Sequence, residues 1–230
     1  MRPTMMRPFP TRLLAALWCC AAFACVNSSL DSANALLESG DYSSARRVYA
    51  RIIDRNPKSF GAHYGMGMSC CAEAMYKSGL GLGAAQDWYP AIYHMNVAFN
   101  LAGGDAATRR TLAILHFNLG AALKKAGDAA AAIDRIEQAV VYDSSLIKAH
   151  NLLGALYQEA GDLDKASLCY QRVLFLAPEY APAHFNLGAV AWARGDFALA
   201  AGEFAAADSL APGNSAYRRW LSQARERARK

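Results

Sequence analysis

Apolar and small residues recur between positions 147 and 180 with the spacing of two amphipathic α-helices. The first set lies at i, i+3, i+4 and i+7, on one helix face: His150, Leu153, Gly154 and Tyr157. The second set lies at i, i+4 and i+7: Ala166, Tyr170 and Val173. Between them, Gly161 can adopt the left-handed conformation that ends a helix, and Asp162 can cap the next one. The pattern predicts a helix, a tight turn and a second helix.

The same pattern returns along the chain at a shift of 34 residues. Leu-Gly pairs, Gly-Asp pairs and single alanines share this period. They are found at 119–120, 153–154 and 187–188; at 127–128, 161–162 and 195–196; and at Ala132, Ala166 and Ala200. Prolines close equivalent units at Pro57, Pro178 and Pro212. A period of 34 is the length of one helix-turn-helix repeat, so we predict a stack of helical pairs.

In these residues and spacings the chain resembles the tetratricopeptide repeat family. The resemblance implies an all-α fold, a right-handed superhelical solenoid of antiparallel helix pairs with a C-terminal capping helix. We predict five units, at about 26–59, 60–112, 113–146, 147–180 and 181–214. The tail, 215–230, has the pattern of the capping helix, because four residues share one apolar face: Tyr217, Trp220, Leu221 and Ala224.

The second unit is 53 residues long, 19 more than the period. Met66-Gly67 marks its first helix, and Ala91, Met95 and Ala98 mark its second. About 12 extra residues fall within 71–86 and about seven near 103–106. The stretch GLGLG at 79–83 lacks both the G-x-G-x-x-G spacing and a preceding strand. It is therefore interpreted as a loop between helices and not as a phosphate site.

The first 24 residues have the character of a secretory signal peptide. Three arginines and no acidic residue precede an apolar run, 13–24, that is too short to span a membrane. The junction Ala22-Phe23-Ala24-Cys25 resembles that of bacterial lipoprotein precursors, which implies acylation of Cys25 and attachment to a membrane. The alternative is cleavage at a small-x-small site, which would leave a soluble exported protein with a free Cys25.

Removal of this leader changes the net charge from +5 to +2, because residues 25–230 hold 21 basic and 19 acidic residues. Such a balance gives no support to nucleic-acid binding. The positive charge is concentrated in the tail, where five arginines and Lys230 stand against Glu226 alone. The tail is interpreted as a solvated helix face, with contact to anionic lipid headgroups or an acidic partner as the alternative.

Few residues have a pattern typical of a catalytic or metal site. The fourth position of four units is a histidine: His63, His116, His150 and His184. Equivalent helices lie about 9–10 Å apart, too far for neighbouring imidazoles to share a metal ion, so these histidines are interpreted as packing residues. Cys70 and Cys71 are adjacent, so on a helix their side chains point in different directions and cannot easily share a ligand. Cys169 is interpreted as a small buried apolar residue. No nucleophile, base and orienting residue assemble, so no enzyme, cofactor or metal site is predicted.

In tetratricopeptide repeat arrays the first helices line a concave groove, and the resemblance places certain positions of each unit in it. The predicted partner-binding residues are Tyr64, Phe117, Asn118, Lys148, Asn151, Phe185, Asn186 and Trp192. Asparagine amides can donate to and accept from a peptide backbone, and aromatic rings offer apolar contact. A merely solvated face is the alternative. Only Asn118 and Lys148 match the carboxylate clamp of some family members, which argues against recognition of a C-terminal carboxylate.

The sequence thus predicts a non-catalytic scaffold or adaptor at the bacterial cell envelope. Its partner would be a protein or extended peptide, and a lipid on Cys25 would hold it on the periplasmic side of a membrane. The alternative function is a ligand-handling accessory lipoprotein of an envelope transporter, with a pocket in the expanded second unit near Trp88, Tyr89 and Tyr93. Neither the oligomeric state nor the identity of the partner follows from the sequence.

Overall fold

The computed structural model describes residues 28–229, which form eleven α-helices and no strand. The described part of the first helix, α1, covers 28–38. The others are α2 (Tyr42–Arg55), α3 (Phe60–Gly79), α4 (Tyr89–Leu101), α5 (Ala106–Lys125), α6 (Ala129–Tyr142), α7 (Ile147–Glu159), α8 (Leu163–Leu176), α9 (Ala181–Ala193), α10 (Phe197–Leu210) and α11 (Ser215–Ala228). The all-α prediction is confirmed. The predicted signal peptide, 1–24, and the predicted lipidation site, Cys25, lie outside the described residues.

Each predicted Gly-Asp turn separates a first helix from a second one. Gly161 follows α7 with a φ of +82°, and the Asp162 carboxylate accepts a hydrogen bond from the Lys165 backbone amide at 3.1 Å. The same arrangement is found at Gly40-Asp41, Gly127-Asp128 and Gly195-Asp196. A β-carbon would be strained at such a glycine, and an uncapped helix start would leave amides unpaired. These pairs therefore define the helix ends locally.

The Leu-Gly pairs lie where the two helices of a unit touch. A β-carbon at Gly154 would stand 2.7 Å from the ring of Tyr170, which is fully buried. Equivalent close approaches join Gly120 to Ile136 and Gly188 to Phe204. Because these glycines have no side chain, each first helix packs tightly against the large side chain of its second helix.

Buried apolar side chains form two clusters. The larger runs from Ala33 to Val190 and joins α1 to α9. The smaller, which we call the C-terminal cluster, lies where α9, α10 and α11 meet: Ala191, Ala200, Phe204, Leu221 and Ala224. The tail thus covers the last apolar surface of the stack, as predicted for a capping helix. Among residues 28–229, no helix combines the length and apolar character needed to cross a bilayer.

The extra residues of the second unit lengthen helices as well as loops. Both α3 and α5 have 20 residues, whereas α7 and α9 have 13. Helix α5 begins at Ala106, so the residues before Ala113 add about two turns to its start. The predicted loop at 79–83 lies at the end of α3 and contains Gly81 with a φ of +72°. A short 3₁₀ helix, Ala85–Trp88, then leads into α4.

Ion pairs hold the insertion against the neighbouring helices. Glu73 of α3 pairs with Arg46 of α2 and, at 3.1 Å, with Lys77. Lys77 also reaches Asp87 of the 3₁₀ helix at 3.0 Å. The Ala84 backbone amide donates to Asp87 at 2.8 Å, and this bond, followed by that from Lys77, lowers the pKa of the Asp87 carboxyl. The chain after α3 is thereby directed back towards α5.

Candidate partner-binding surface on the first helices

The eight predicted partner-binding residues lie on the first helices of units two to five, and we call them the groove residues. They are Tyr64 on α3; Phe117 and Asn118 on α5; Lys148 and Asn151 on α7; and Phe185, Asn186 and Trp192 on α9. Lys148 is exposed, and the other seven are half-buried. The repeat brings equivalent positions of successive first helices to the same side of the stack, so these residues follow one surface.

A cavity of about 500 Å³ opens beside Asn118. One wall is formed by α5 and the residue that follows it: Asn118, Ala121, Ala122, Lys125 and Ala126. The other wall is the insertion of the second unit: Ser78, Gly81, Gly83, Ala84, Ala85 and Trp88. The cavity therefore depends on the extra residues of the second unit, which the 34-residue repeat does not provide.

Two polar side chains in the α5 wall of the cavity, Asn118 and Lys125, have no partner among residues 28–229. Neither the Asn118 amide nor the Lys125 ammonium makes a hydrogen bond or ion pair to another described residue. Trp88, which is 4% exposed, is the only aromatic residue of the lining, and most of the remaining lining is alanine or glycine. The cavity thus offers a hydrogen-bond donor and acceptor, a cation and an apolar wall together.

The asparagines of the fourth and fifth units bind each other. The Asn186 amide nitrogen donates to the Asn151 side-chain oxygen at 3.1 Å, which joins α9 to α7. An asparagine has two donors and an oxygen acceptor, so Asn186 keeps one donor and its acceptor for a ligand. Asn118 differs because neither end of its amide is bonded to another residue of 28–229. The two asparagines that the sequence placed at equivalent positions are therefore not equivalent in the structure.

The groove aromatics pack partly against their own fold. Phe185 stacks on Tyr217 of α11, with 4.9 Å between ring centroids, and lies 5.3 Å from Phe204. Trp192 meets Trp220 of α11 edge to face at 5.4 Å. The capping helix therefore covers one side of Phe185 and Trp192. Their role in binding a partner stays a prediction.

An ion pair that the sequence analysis did not identify also joins two first helices. Lys124 of α5 donates to Glu159 of α7 at 2.7 Å. The two residues are 35 positions apart, close to one period, which is the only sequence signal that could have indicated the contact. The pair links the third unit to the fourth, next to the unpaired Lys125.

Comparison with known sequence families agrees with this architecture. The profile described as "Tetratricopeptide repeat" matches residues 30–89 and 151–215, more than half of the chain. The chain belongs to the tetratricopeptide repeat family. Proteins of this family are generally non-catalytic interaction scaffolds. A search of curated protein sequences gave no significant match.

Solved structures show the same tetratricopeptide repeat fold. The MamA protein has a TM-score of 0.54 and 22% identity, over 80% of this chain and 91% of MamA. YrrB, described as a tetratricopeptide repeat protein with an unusual peptide-binding site, has a TM-score of 0.54 and 19% identity, over 86% of this chain and 90% of YrrB. The first tetratricopeptide repeat domain of Spaghetti (RPAP3), solved with the HSP90 peptide SRMEEVD, has a TM-score of 0.51 and 17% identity, over 53% of this chain and 96% of that domain. The predicted superhelical solenoid is confirmed.

The histidines at the fourth repeat position do more than pack. His150 donates from Nε2 to the Ser144 carbonyl at 3.0 Å, and His63 and His184 bond in the same way to Pro57 and Pro178, each six residues earlier. This hydrogen bond ties the start of each first helix to the turn before it. The repeat pattern indicates the position of these histidines, but the hydrogen bond is visible only in the structure.

His116 is the exception, because α5 begins earlier than the other first helices and the residue six positions before His116 is itself helical. His116 is 5% exposed, and its Nδ1 has no hydrogen-bond partner in the described part of the chain. Burial, with a smaller effect of nearby Arg135, lowers the pKa of His116 to about 4. The insertion thus leaves one buried, unpaired nitrogen in the repeat core.

Cys70 and Cys71 are buried thiols, whereas Cys169, which the sequence suggested would be buried, is half-buried. Burial raises the pKa of Cys70 and Cys71, and it raises the pKa of Cys169 to about 11. Because the thiolate is the reactive form, all three favour the unreactive thiol at neutral pH. Within 28–229, no group of three or more His, Cys, Asp or Glu side chains is arranged to hold a metal ion.

Proposed function

We propose that this protein is a non-catalytic scaffold or adaptor of the bacterial cell envelope that holds an extended peptide of a partner protein along the groove residues. The observation that carries the proposal is the cavity beside Asn118, where an amide and an ammonium with no partner among residues 28–229 adjoin an apolar wall. An extended peptide presents backbone donors and acceptors that an asparagine amide can satisfy together. A side chain of that peptide would enter the cavity and contact Trp88.

Replacing Asn118 with alanine is expected to weaken the partner complex about 2-fold to 10-fold, because one hydrogen bond of about 0.5–1.5 kcal/mol is lost. Combining Asn118→Ala with Asn186→Ala is expected to weaken it further without unfolding the protein. The partner is first identified by affinity capture from native membranes, and its dissociation constant is then measured by calorimetry for each variant.

The matched control is Asn100→Ala, which removes the same side chain from an exposed position of α4. This variant should bind as the unaltered protein does. Equal affinity of the unaltered protein and the Asn118/Asn186 double variant would show that the groove residues do not hold the partner.

A second candidate function is supported by the same cavity. Its volume, about 500 Å³, is within the range of small-molecule sites, and Trp88 lies in its wall. Tyr89 and Tyr93, which the sequence analysis placed near this pocket, are not among the lining residues and are exposed. An accessory protein of an envelope transporter would retain a small molecule here. A native mass spectrum separates the two functions: a retained small molecule favours the pocket, and a co-purifying protein favours the scaffold.

The proposal includes a lipid on Cys25 that holds the protein at the periplasmic side of a membrane. Cys25 stands three positions before the first described residue of α1, so a lipid there would keep the first unit close to the bilayer. Cells fed an alkyne fatty acid should label the unaltered protein and not Cys25→Ser. A protein without label, found in the soluble periplasmic fraction, would favour the soluble exported form.

A further inference from the structure

The capping helix repeats the geometry of a first helix. Helices α7, α9 and α11 begin 34 residues apart, at Ile147, Ala181 and Ser215. Arg218 of α11 is therefore equivalent to His184 of α9. Both donate to the carbonyl six residues earlier, His184 to Pro178 at 3.0 Å and Arg218 to Pro212 at 2.7 Å. By position and by this bond, α11 is the first helix of a sixth unit.

The side of α11 on which a second helix would pack is cationic. In α9 that side contains Gly188, which approaches Phe204 of the second helix, and Ala191, which shares its cluster. The equivalent residues of α11 are Ser222 and Arg225, and both are exposed. Four exposed residues follow this side at i, i+4, i+7 and i+11, and we call them the arginine stripe: Arg218, Ser222, Arg225 and Arg229.

Charge in the chain is segregated towards this helix. Residues 25–214 hold 15 basic and 18 acidic residues, a net charge of −3, whereas 215–230 hold six basic residues and one acidic residue, a net charge of +5. Asp208 lies 3.8 Å from Arg218, and Glu226 of α11, the one acidic residue of the tail, lies beside the stripe. No acidic residue stands in the first turn of α11, although the helix dipole disfavours a cation such as Arg218 near that end. Arg218 is held at that end by its bond to the Pro212 carbonyl and not by the helix dipole.

We propose that the arginine stripe binds an acidic helix of a partner protein, which occupies the place of the second helix of the sixth unit. Unit five shows where carboxylates of such a helix would lie. There Glu203 of α10 accepts from His184 at 2.8 Å, and the equivalent carboxylate of a docked helix would meet Arg218. The small Ser222 would let the two helices approach, as Gly188 does in α9. Further carboxylates, one and two turns away, would meet Arg225 and Arg229.

The test uses a peptide with the sequence 196–214, the natural second helix of unit five, labelled with fluorescein. Ala200→Glu in this peptide adds a carboxylate to Asp196, Glu203 and Asp208. Its control peptide has glutamine or asparagine at the four acidic positions. Binding to the purified full chain is measured by fluorescence anisotropy, and also with vesicles of phosphatidylglycerol and phosphatidylcholine.

We expect the acidic peptide to bind and the amide peptide to bind at least about tenfold more weakly. Arg218→Gln with Arg225→Gln should weaken acidic peptide binding by about tenfold or more, with the helical circular dichroism spectrum unchanged. Arg51→Gln with Arg55→Gln removes the same charge from exposed positions of α2 and should change the affinity for the acidic peptide less than about twofold. Equal binding of both peptides, equal effects of the two double variants, or binding to anionic vesicles without binding to the peptide would overturn the proposal.

Discussion

Replacing Phe204 with alanine is expected to lower the free energy of unfolding of the C-terminal units by about 3–5 kcal/mol. Phe204 is fully buried, and its ring contacts Phe185 at 5.3 Å and Trp220 at 5.9 Å. The C-terminal cluster has only five buried members, so few neighbours can fill the space left by the ring. Because this cluster joins α9, α10 and α11, their unfolding should occur at lower urea concentration than that of the remaining helices.

Tryptophan fluorescence and circular dichroism during urea unfolding measure this effect together, since Trp192 and Trp220 lie beside Phe204. The matched control is Phe175→Ala on α8, where the phenylalanine is 75% exposed and contacts Arg172 across its ring. The control should lose less than about 1 kcal/mol. Similar losses in the two variants would contradict the assignment of Phe204 as the centre of the C-terminal cluster.

Acidification from pH 7 to pH 4.5 is expected to destabilise the protein by about 2–3 kcal/mol through His116 alone. Its pKa in the folded protein is about 4, below the ordinary value of 6.5. Between these values the unfolded chain binds a proton at His116 that the folded chain does not, so stability falls as the pH falls through this window. Each pKa unit corresponds to about 1.4 kcal/mol. The carboxylates with lowered pKa values lose their contribution only at lower pH.

His116→Phe should remove most of this acid sensitivity, because phenylalanine keeps the ring that stacks on Tyr142 at 5.5 Å and has no nitrogen to protonate. Burial also lowers the pKa of His94, so a smaller loss at pH 4.5 is expected to remain. Urea unfolding at pH 7 and pH 4.5 gives the difference for each protein. Should the unaltered protein and His116→Phe lose equal stability on acidification, His116 would not be the sensitive group.

The matched variant is His150→Phe, at the same position of the next unit. It removes the hydrogen bond to the Ser144 carbonyl, so it should lower stability at pH 7 by about 0.5–1.5 kcal/mol. His116→Phe breaks no hydrogen bond to a residue of 28–229 and should not lower stability at pH 7. The comparison thereby tests whether the fourth repeat position contributes through its hydrogen bond or only through the volume of its ring.

The positions of the groove residues could be predicted from the sequence, but their contacts could not. Their positions on successive first helices followed from the repeat, because a helix fixes which residues share a face and the period fixes which helices are equivalent. Their partners did not follow. Phe185 and Trp192 pack against α11, Asn186 binds Asn151, and Asn118 binds no other described residue. Those differences depend on which segment lies opposite each residue, and the repeat pattern is the same for all.

The sequence by itself determined the helical pairs, their turns and their order, because these depend on contacts within one 34-residue period. Gly161 and Asp162 end one helix and begin the next through bonds to residues at most a few positions away. Only the tertiary structure decided where the insertion of the second unit lies, and with it the cavity at Asn118 and the unpaired nitrogen of His116. The insertion has no equivalent in the other units, so its conformation is set by contacts with α2 and α5 that no local pattern in the chain encodes.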